Sequence, residues 1–381
     1  MSESPFTVNF EPGEEYLEPQ RFWQGCPTLL LTPKGRLFAG WYSGGVGEPD
    51  PENYNLLIRS QDYGMTWSAP ELIIRSRDPE FVAIDIQLWL DPLGRMWLFF
   101  VQRFCSESAN SADPKTFQTY AMICRDPDAD RLVWSEPRLI APGFLRNQPT
   151  VLSNGDWILC AYDRSSPNFC YLRSSDQGIT WRQCVAGSKL SNTFEETMVM
   201  ERRDHSLLML ARDIHPYLVR TDSCDLEGSS WTPGKSTSIR NACSRFHIRR
   251  LKSGRVLLIH NDSEKIRTDL RASLSEDDGE TWTHSILLDQ AEGPESAVSY
   301  PDAVEAPDGR IFIIYDCGRM TFKEIRMAQI SEKDILAGKL TDYSSYRRRI
   351  ISKAPGNPPD EAEYRRKEEQ WKCWKQKNAN F

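Results

Sequence analysis

Short runs of alternating or bulky apolar residues recur along the whole chain, among them TLLLT, RLFAGWY, NLLIRS, RMWLFFVQ, DWILCAYD, SLLMLARD, RVLLIHND and RIFIIYD. Runs this short, rich in β-branched and aromatic residues, predict strands, because an amphipathic helix needs a 3.6-residue period over a longer window. Many of them are separated by one kind of turn, PKGR, PLGR, SNGD, KSGR or PDGR, in which glycine supplies the positive φ of a tight hairpin. These turns place the starts of successive strand units near residues 27, 85, 148, 197, 246 and 301. The pattern changes only at the C-terminus. There NPPDEAEYRRKEEQWKCWKQKNANF (357–381) is rich in helix formers, with Trp371 and Trp374 on one face, and predicts a short helix docked on the rest of the chain or used as a dimer contact.

One polar phrase punctuates the strands. SQDYGMTW (60–67), SSDQGITW (174–181) and SEDDGETW (275–282) share Ser-x-Asp-x-Gly-x-Thr-Trp. Degenerate copies lie between them, with Trp134 in RDPDADRLVWSEP and with Asp225, Gly228 and Trp231 in RTDSCDLEGSSWTP. The spacing of the five copies, roughly 45–65 residues, is close to the period of a propeller blade.

Composition narrows the function. A chain of 381 residues with 27% charged and 39% hydrophobic content folds as one large domain or two ordinary ones. A net charge of −7 argues against a broad nucleic-acid-binding face, although a local cationic pocket is compatible with it. No apolar run approaches the ~20 residues of a membrane span. The acidic start MSESPFTVNFEPGEEYLEPQ is unlike a secretory signal, and the expected compartment is the cytoplasm. The ten cysteines are scattered without metal-ligand spacing and are expected to be reduced thiols. With no metal cluster, phosphate loop or Gly-x-Ser-x-Gly elbow, no metal or cofactor is expected.

The repeat resembles the Asp-box, or BNR repeat, of the sialidase (neuraminidase) superfamily. The resemblance implies an all-β fold, a six-bladed β-propeller over residues 1–356 followed by the helical tail at 357–381. It also implies an active site at one end of the propeller axis, far from the boxes, where an arginine triad grips a carboxylate beside a Tyr nucleophile, its Glu partner and an acid/base carboxylate. SYPDAVEAPDGR is similar to the nucleophile strand and places Tyr300 in that role. EETMVMERRDHSLLMLARD offers Glu196 and the second triad arginine, Arg212. Arg267, just upstream of the last box, corresponds to the third. Tyr suits an anomeric carbon bearing a carboxylate, which would repel a charged nucleophile.

The first half departs from this pattern. Gly25, in QGCPT, stands where the first triad arginine belongs, and Arg21, four residues earlier, is a substrate-binding candidate that reaches inward if the approach to the blade is rebuilt. The acid/base position falls in WYSGGVGEPDPENYNLLIRS, where Glu48 is favoured and Asp50 is the alternative; Asp85 in VAIDIQLWL is a further catalytic candidate. Gln87, Asn147, Gln148, Arg245 and His247 begin inner strands and are expected near the axis, Trp41, Tyr42 and Trp89 are aromatics able to stack on a sugar, and Arg319 in YDCGR is a further anion ligand. The expected activity is an exo-acting glycoside hydrolase for a carbohydrate ending in an acidic sugar, sialic-acid-like or uronic. A non-catalytic carbohydrate-binding propeller and a propeller polysaccharide lyase are the alternatives.

Overall fold

Six antiparallel four-stranded meanders follow one another along the chain, each running from the axis outwards. The structure is a computed structural model that describes residues 4–105, 117–162, 165–191, 195–356, 362 and 366. The expected tail helix with Trp371 and Trp374 lies outside the described residues. The innermost strands are Gln24–Leu31, Phe81–Leu90, Thr150–Val151, Thr197–Glu201, His247–Arg250 and Val298–Glu305. They begin where the hairpin turns of the sequence place them, and the fold is a six-bladed β-propeller. The N-terminal strand Phe6–Asn9 adds a fifth, outermost strand to the first blade by pairing with Leu72–Ser76. Apolar side chains from neighbouring sheets fill the spaces between blades, as where Trp89, Trp97 and Trp157 meet with ring centroids 4.8–6.3 Å apart.

The repeated phrase closes the outer hairpin of its blade, between the third and fourth strands. In the last copy Ser275 Oγ donates to Asp277 Oδ1 (2.8 Å) and accepts from the Gly279 N–H (2.8 Å), while Asp277 also receives the Thr281 N–H and hydroxyl. Gly279 takes φ +89°, and a Cβ there would lie 2.8 Å from Leu208 of the preceding blade, so glycine is required for conformation and for fit. Trp282 packs against that same blade's apolar cluster. The copies at Asp62 and Asp176 repeat the bonding. The sixth blade has no such phrase. Its outer hairpin carries the short helix Glu332–Ala337, capped reciprocally by Ser331 and Asp334.

What positions the site is a bulge shared by three inner strands. Pairing slips between Gly25 and Thr28, between Ile84 and Gln87, and between Ser299 and Asp302. The bulged residues Cys26, Asp85 and Tyr300 have nearly identical φ values of 56°, 56° and 57°. A non-glycine residue held there costs on the order of 1–3 kcal/mol, and the gain is that its side chain is turned out of the sheet.

Candidate active site

Two layers of side chains, one residue of each per blade, stand across the axis. The outer layer is Cys26, Asp85, Arg146, Glu196, Arg245 and Tyr300. The inner layer, two residues further along the chain in each blade, is Thr28, Gln87, Gln148, Met198, His247 and Asp302.

The inner layer is a buried polar plug centred on Asp302. Its carboxylate accepts from Thr28 Oγ1 (2.6 Å), the Leu29 N–H (3.1 Å), Gln87 Nε2 (2.9 Å) and Gln148 Nε2 (3.2 Å), with His247 Nδ1 at 3.1 Å. Burial opposes the charge, but His247, Arg245 and Thr28 outweigh it and hold the acid far below the ordinary range. Arg245 locks the layers together by donating to the carbonyls of Arg146, Pro27, Tyr300 and Pro301 at 2.7–3.2 Å.

Above the plug, Tyr300, Glu196 and Arg212 converge as their sequence contexts suggest. Tyr300 Oη donates to Glu196 Oε1 (2.7 Å), and Arg212 Nη1 donates both to Tyr300 Oη (2.7 Å) and to Glu196 Oε2 (2.8 Å). Glu196 is 1% and Tyr300 3% exposed. Burial works against the Glu196 charge, yet Arg212, Arg146 and the Tyr300 hydroxyl keep its pKa below the usual carboxylate value. Burial raises the Tyr300 phenol to about 12, although Arg212 and Arg146 pull the other way. The resting pair is therefore a neutral phenol on an ionised carboxylate.

Guanidinium groups ring the phenol. Arg319, Arg267, Arg245 and Arg146 lie 4.2, 5.2, 5.3 and 5.4 Å from the centroid of the Tyr300 ring. Arg146 was not singled out by sequence. Its Nη2 stands 3.0 Å from Asp85 Oδ2 and its Nε 3.5 Å from Glu196 Oε1. The signal that finds it is its place two residues before Gln148, the same offset as Asp85 before Gln87.

Arg319 resolves the gap at Gly25. A Cβ on Gly25 would stand 2.9 Å from Arg319 Cδ and Nε, so the absent side chain is the space that Arg319 occupies. Its Nε and Nη2 reach Asp316 Oδ2 (2.9 and 2.8 Å) and its Nη1 reaches Glu48 Oε1 (3.1 Å). Cys26 lies beside it, with its thiol between Tyr42 Oη (3.5 Å) and Arg146 Nη1 (3.4 Å), and burial pushes that thiol pKa up.

The carboxylates of the first two blades sort by environment. Asp50 is spent on its own loop, accepting from the N–H groups of Val46 and Glu52. Glu48 is half-buried and paired with Arg319. Asp85 is 2% exposed, and Arg146 approaches it at an angle that leaves both carboxylate oxygens without a directed hydrogen bond. Burial raises its pKa to about 6, against the opposing pull of Arg146.

Other expected residues are placed elsewhere. Arg21 donates to Tyr16 O (2.9 Å) and Ser352 Oγ (3.0 Å) and rests on Trp41, tying the first blade to the last. Trp41 is buried and donates to Gln24 Oε1. Tyr42 and Trp89 are core aromatics. Asn147 donates to Thr197 O, and Gln87, Gln148 and His247 belong to the plug, one layer below the phenol.

An arginine-ringed Tyr–Glu pair at one end of a six-bladed propeller defines a sialidase-like protein, and solved structures agree in fold. The chain is similar to the Hadza microbial sialidase Hz136, with 20% identity and a TM-score of 0.65 over 84% of this chain and 67% of that one. It is also similar to the leech intramolecular trans-sialidase, with 15% identity and a TM-score of 0.66 over 85% and 70%. A protein of unknown function from Dyadobacter fermentans DSM 18053 matches with 19% identity and a TM-score of 0.64 over 79% and 92%. In sequence, residues 35–313 match the BNR repeat-like domain, and the chain belongs to that family. No curated protein matches it.

Proposed function

We propose that this chain is a glycoside hydrolase that removes a terminal acidic sugar through a glycosyl-tyrosine intermediate. The observation that carries this reading is the Tyr300 hydroxyl held between Glu196 and Arg212, both at 2.7 Å. As Tyr300 Oη attacks the anomeric carbon, its proton passes to Glu196 and Arg212 stabilises the developing phenolate. Asp85, whose pKa burial raises to about 6, donates in its protonated form to the departing glycosidic oxygen. Its carboxylate then takes a proton from the water that cleaves the glycosyl–tyrosine bond, and Glu196 returns the proton to Tyr300. Arg267 and Arg319, with Arg212, are the cations available to a substrate carboxylate, and Glu48 positions Arg319.

Aryl glycosides of sialic acid, glucuronic acid and neutral sugars test this directly. Release of the aryl group from an acidic member and not from the neutral ones is expected. Binding of an acidic sugar without turnover would instead mark a carbohydrate-binding propeller, and an unsaturated, ultraviolet-absorbing sugar product a lyase.

The Arg319 position gives a second expectation. Gly25→Ala would drive a methyl group into Arg319 Cδ and Nε, whose guanidinium is pinned by Asp316 and Glu48 and has little freedom to yield. KM for the acidic substrate should rise by about tenfold or more while kcat changes less, since losing a charge-assisted contact is worth about 1.5–3 kcal/mol. An unchanged KM would show that Arg319 does not hold substrate.

A further inference from the structure

At the opposite end of the axis lies a cavity of about 680 Å³. It is bounded by the far ends of the inner strands of blades two to five, with Asp91, Ser153, Glu201 and Arg249 in its wall and Gln148 and His247 of the plug among its lining. Its size suits a monosaccharide or a somewhat larger molecule.

Most arginines at this end are committed. Arg202 is paired with Asp222, and Arg203 and Arg250 with Asp278. The wall carboxylates are committed too, Asp91 to Arg95 and Trp97, and Glu201 to Ser153 and His205. Arg249 is different. Among the described residues its guanidinium makes no hydrogen bond or ion pair, and it stands solvent-accessible within the cavity. Burial lowers its pKa, with Asp302 and Glu305 opposing from a distance. A cation without a protein partner, open to the cavity, favours an incoming carboxylate.

His247 supplies a second polar group. Its Nδ1 faces Asp302 Oδ1 at 3.1 Å and so carries the ring proton, leaving Nε2 as an acceptor, and Nε2 is buried without a partner. Burial holds the ring pKa below the ordinary imidazole value although Asp302 opposes this, so the neutral form persists. His247 and Arg249 are two apart on one strand, which puts them on the same face and ~7 Å from each other. His247 and Gln148 give the cavity a polar floor beneath Arg249, and one sugar-acid ring carries both hydroxyls for that floor and a carboxylate for Arg249.

From this pairing we infer that the cavity is a second binding site, for a small hydroxylated carboxylate of the sugar-acid class, separated from Tyr300 by the axial plug. Calorimetric titration of the full chain with D-glucuronate tests it, with D-glucose and sulfate as controls, in Arg249→Gln and Arg267→Met. One glucuronate-binding event should survive Arg267→Met and weaken by about tenfold or more in Arg249→Gln, whose aryl-glycoside turnover stays unchanged. The His247 Nε2 resonance should shift on adding glucuronate and not glucose. Glucuronate binding by Arg249→Gln equal to the unmodified chain would overturn the site. So would sulfate binding as tightly as glucuronate with the His247 signal unmoved, the outcome for an adventitious ion only.

Discussion

Tyr300→Phe should lower kcat on an acidic aryl glycoside by about 10³-fold or more while leaving the dissociation constant for the sugar within a few-fold. The change removes one oxygen. The ring keeps its place among Arg319, Arg267, Arg245 and Arg146, which lie 4.2–5.4 Å from its centroid and are untouched. Arg212 keeps its bond to Glu196. What is lost is the proposed nucleophile and its hydrogen bond to Glu196. Steady-state kinetics with calorimetry on the same variant separate the two effects. A variant that turns over at the unmodified rate would leave Tyr300 no covalent role, and one that loses binding along with rate would make it a substrate contact.

The second large effect falls on Asp85 and is visible in the pH dependence. In the proposed mechanism Asp85 must be protonated to donate to the leaving oxygen, and its pKa of about 6 should set the upper edge of activity. Glu196 must be ionised, and its pKa below the usual carboxylate value sets the lower edge. Activity should therefore be highest in mildly acid solution and fall as pH rises through about 6. Asp85→Asn should remove that alkaline limb and cost about 10²–10⁴-fold on a glycoside whose leaving group needs a proton. Formation of the intermediate from a glycoside with a strongly acidic phenol should change far less. Persistence of the same limb in Asp85→Asn would move the acid role to Glu48, whose pairing with Arg319 otherwise assigns it to positioning.

Much of the scaffold can be read from the chain because its cues are local. Ser275, Asp277 and Gly279 bond within one hairpin, so the Asp-box repeats wherever that hairpin repeats. The sixth blade shows where the cue ends, since Ser331 and Asp334 cap a helix at the corresponding hairpin and leave no phrase to find. The Tyr300, Glu196 and Arg212 cluster follows from family-like contexts around each residue. Arg146 and Arg319 carry no such context. Arg146 reaches Asp85 and Glu196 from the irregular segment that leads into the third blade's inner strand, and Arg319 reaches Tyr300 only because Gly25, nearly three hundred residues away in sequence, leaves room. The bulges at Cys26, Asp85 and Tyr300 decide which residue of each strand faces the site. An apolar–polar pattern does not record a bulge, so Gln87 reads as a substrate contact although it lies one layer deeper, and Gln148 and His247 lie beside it because they bond to Asp302.

The covalent intermediate is the most direct test of the account. An acidic glycosyl fluoride carrying a second fluorine beside the anomeric carbon slows release of the sugar from the enzyme, and peptide mass spectrometry after a brief incubation locates the adduct. The account predicts one sugar attached to the peptide containing Tyr300 and none in Tyr300→Phe. An adduct on Asp85 or Glu196, or substrate turnover with no adduct, would contradict it.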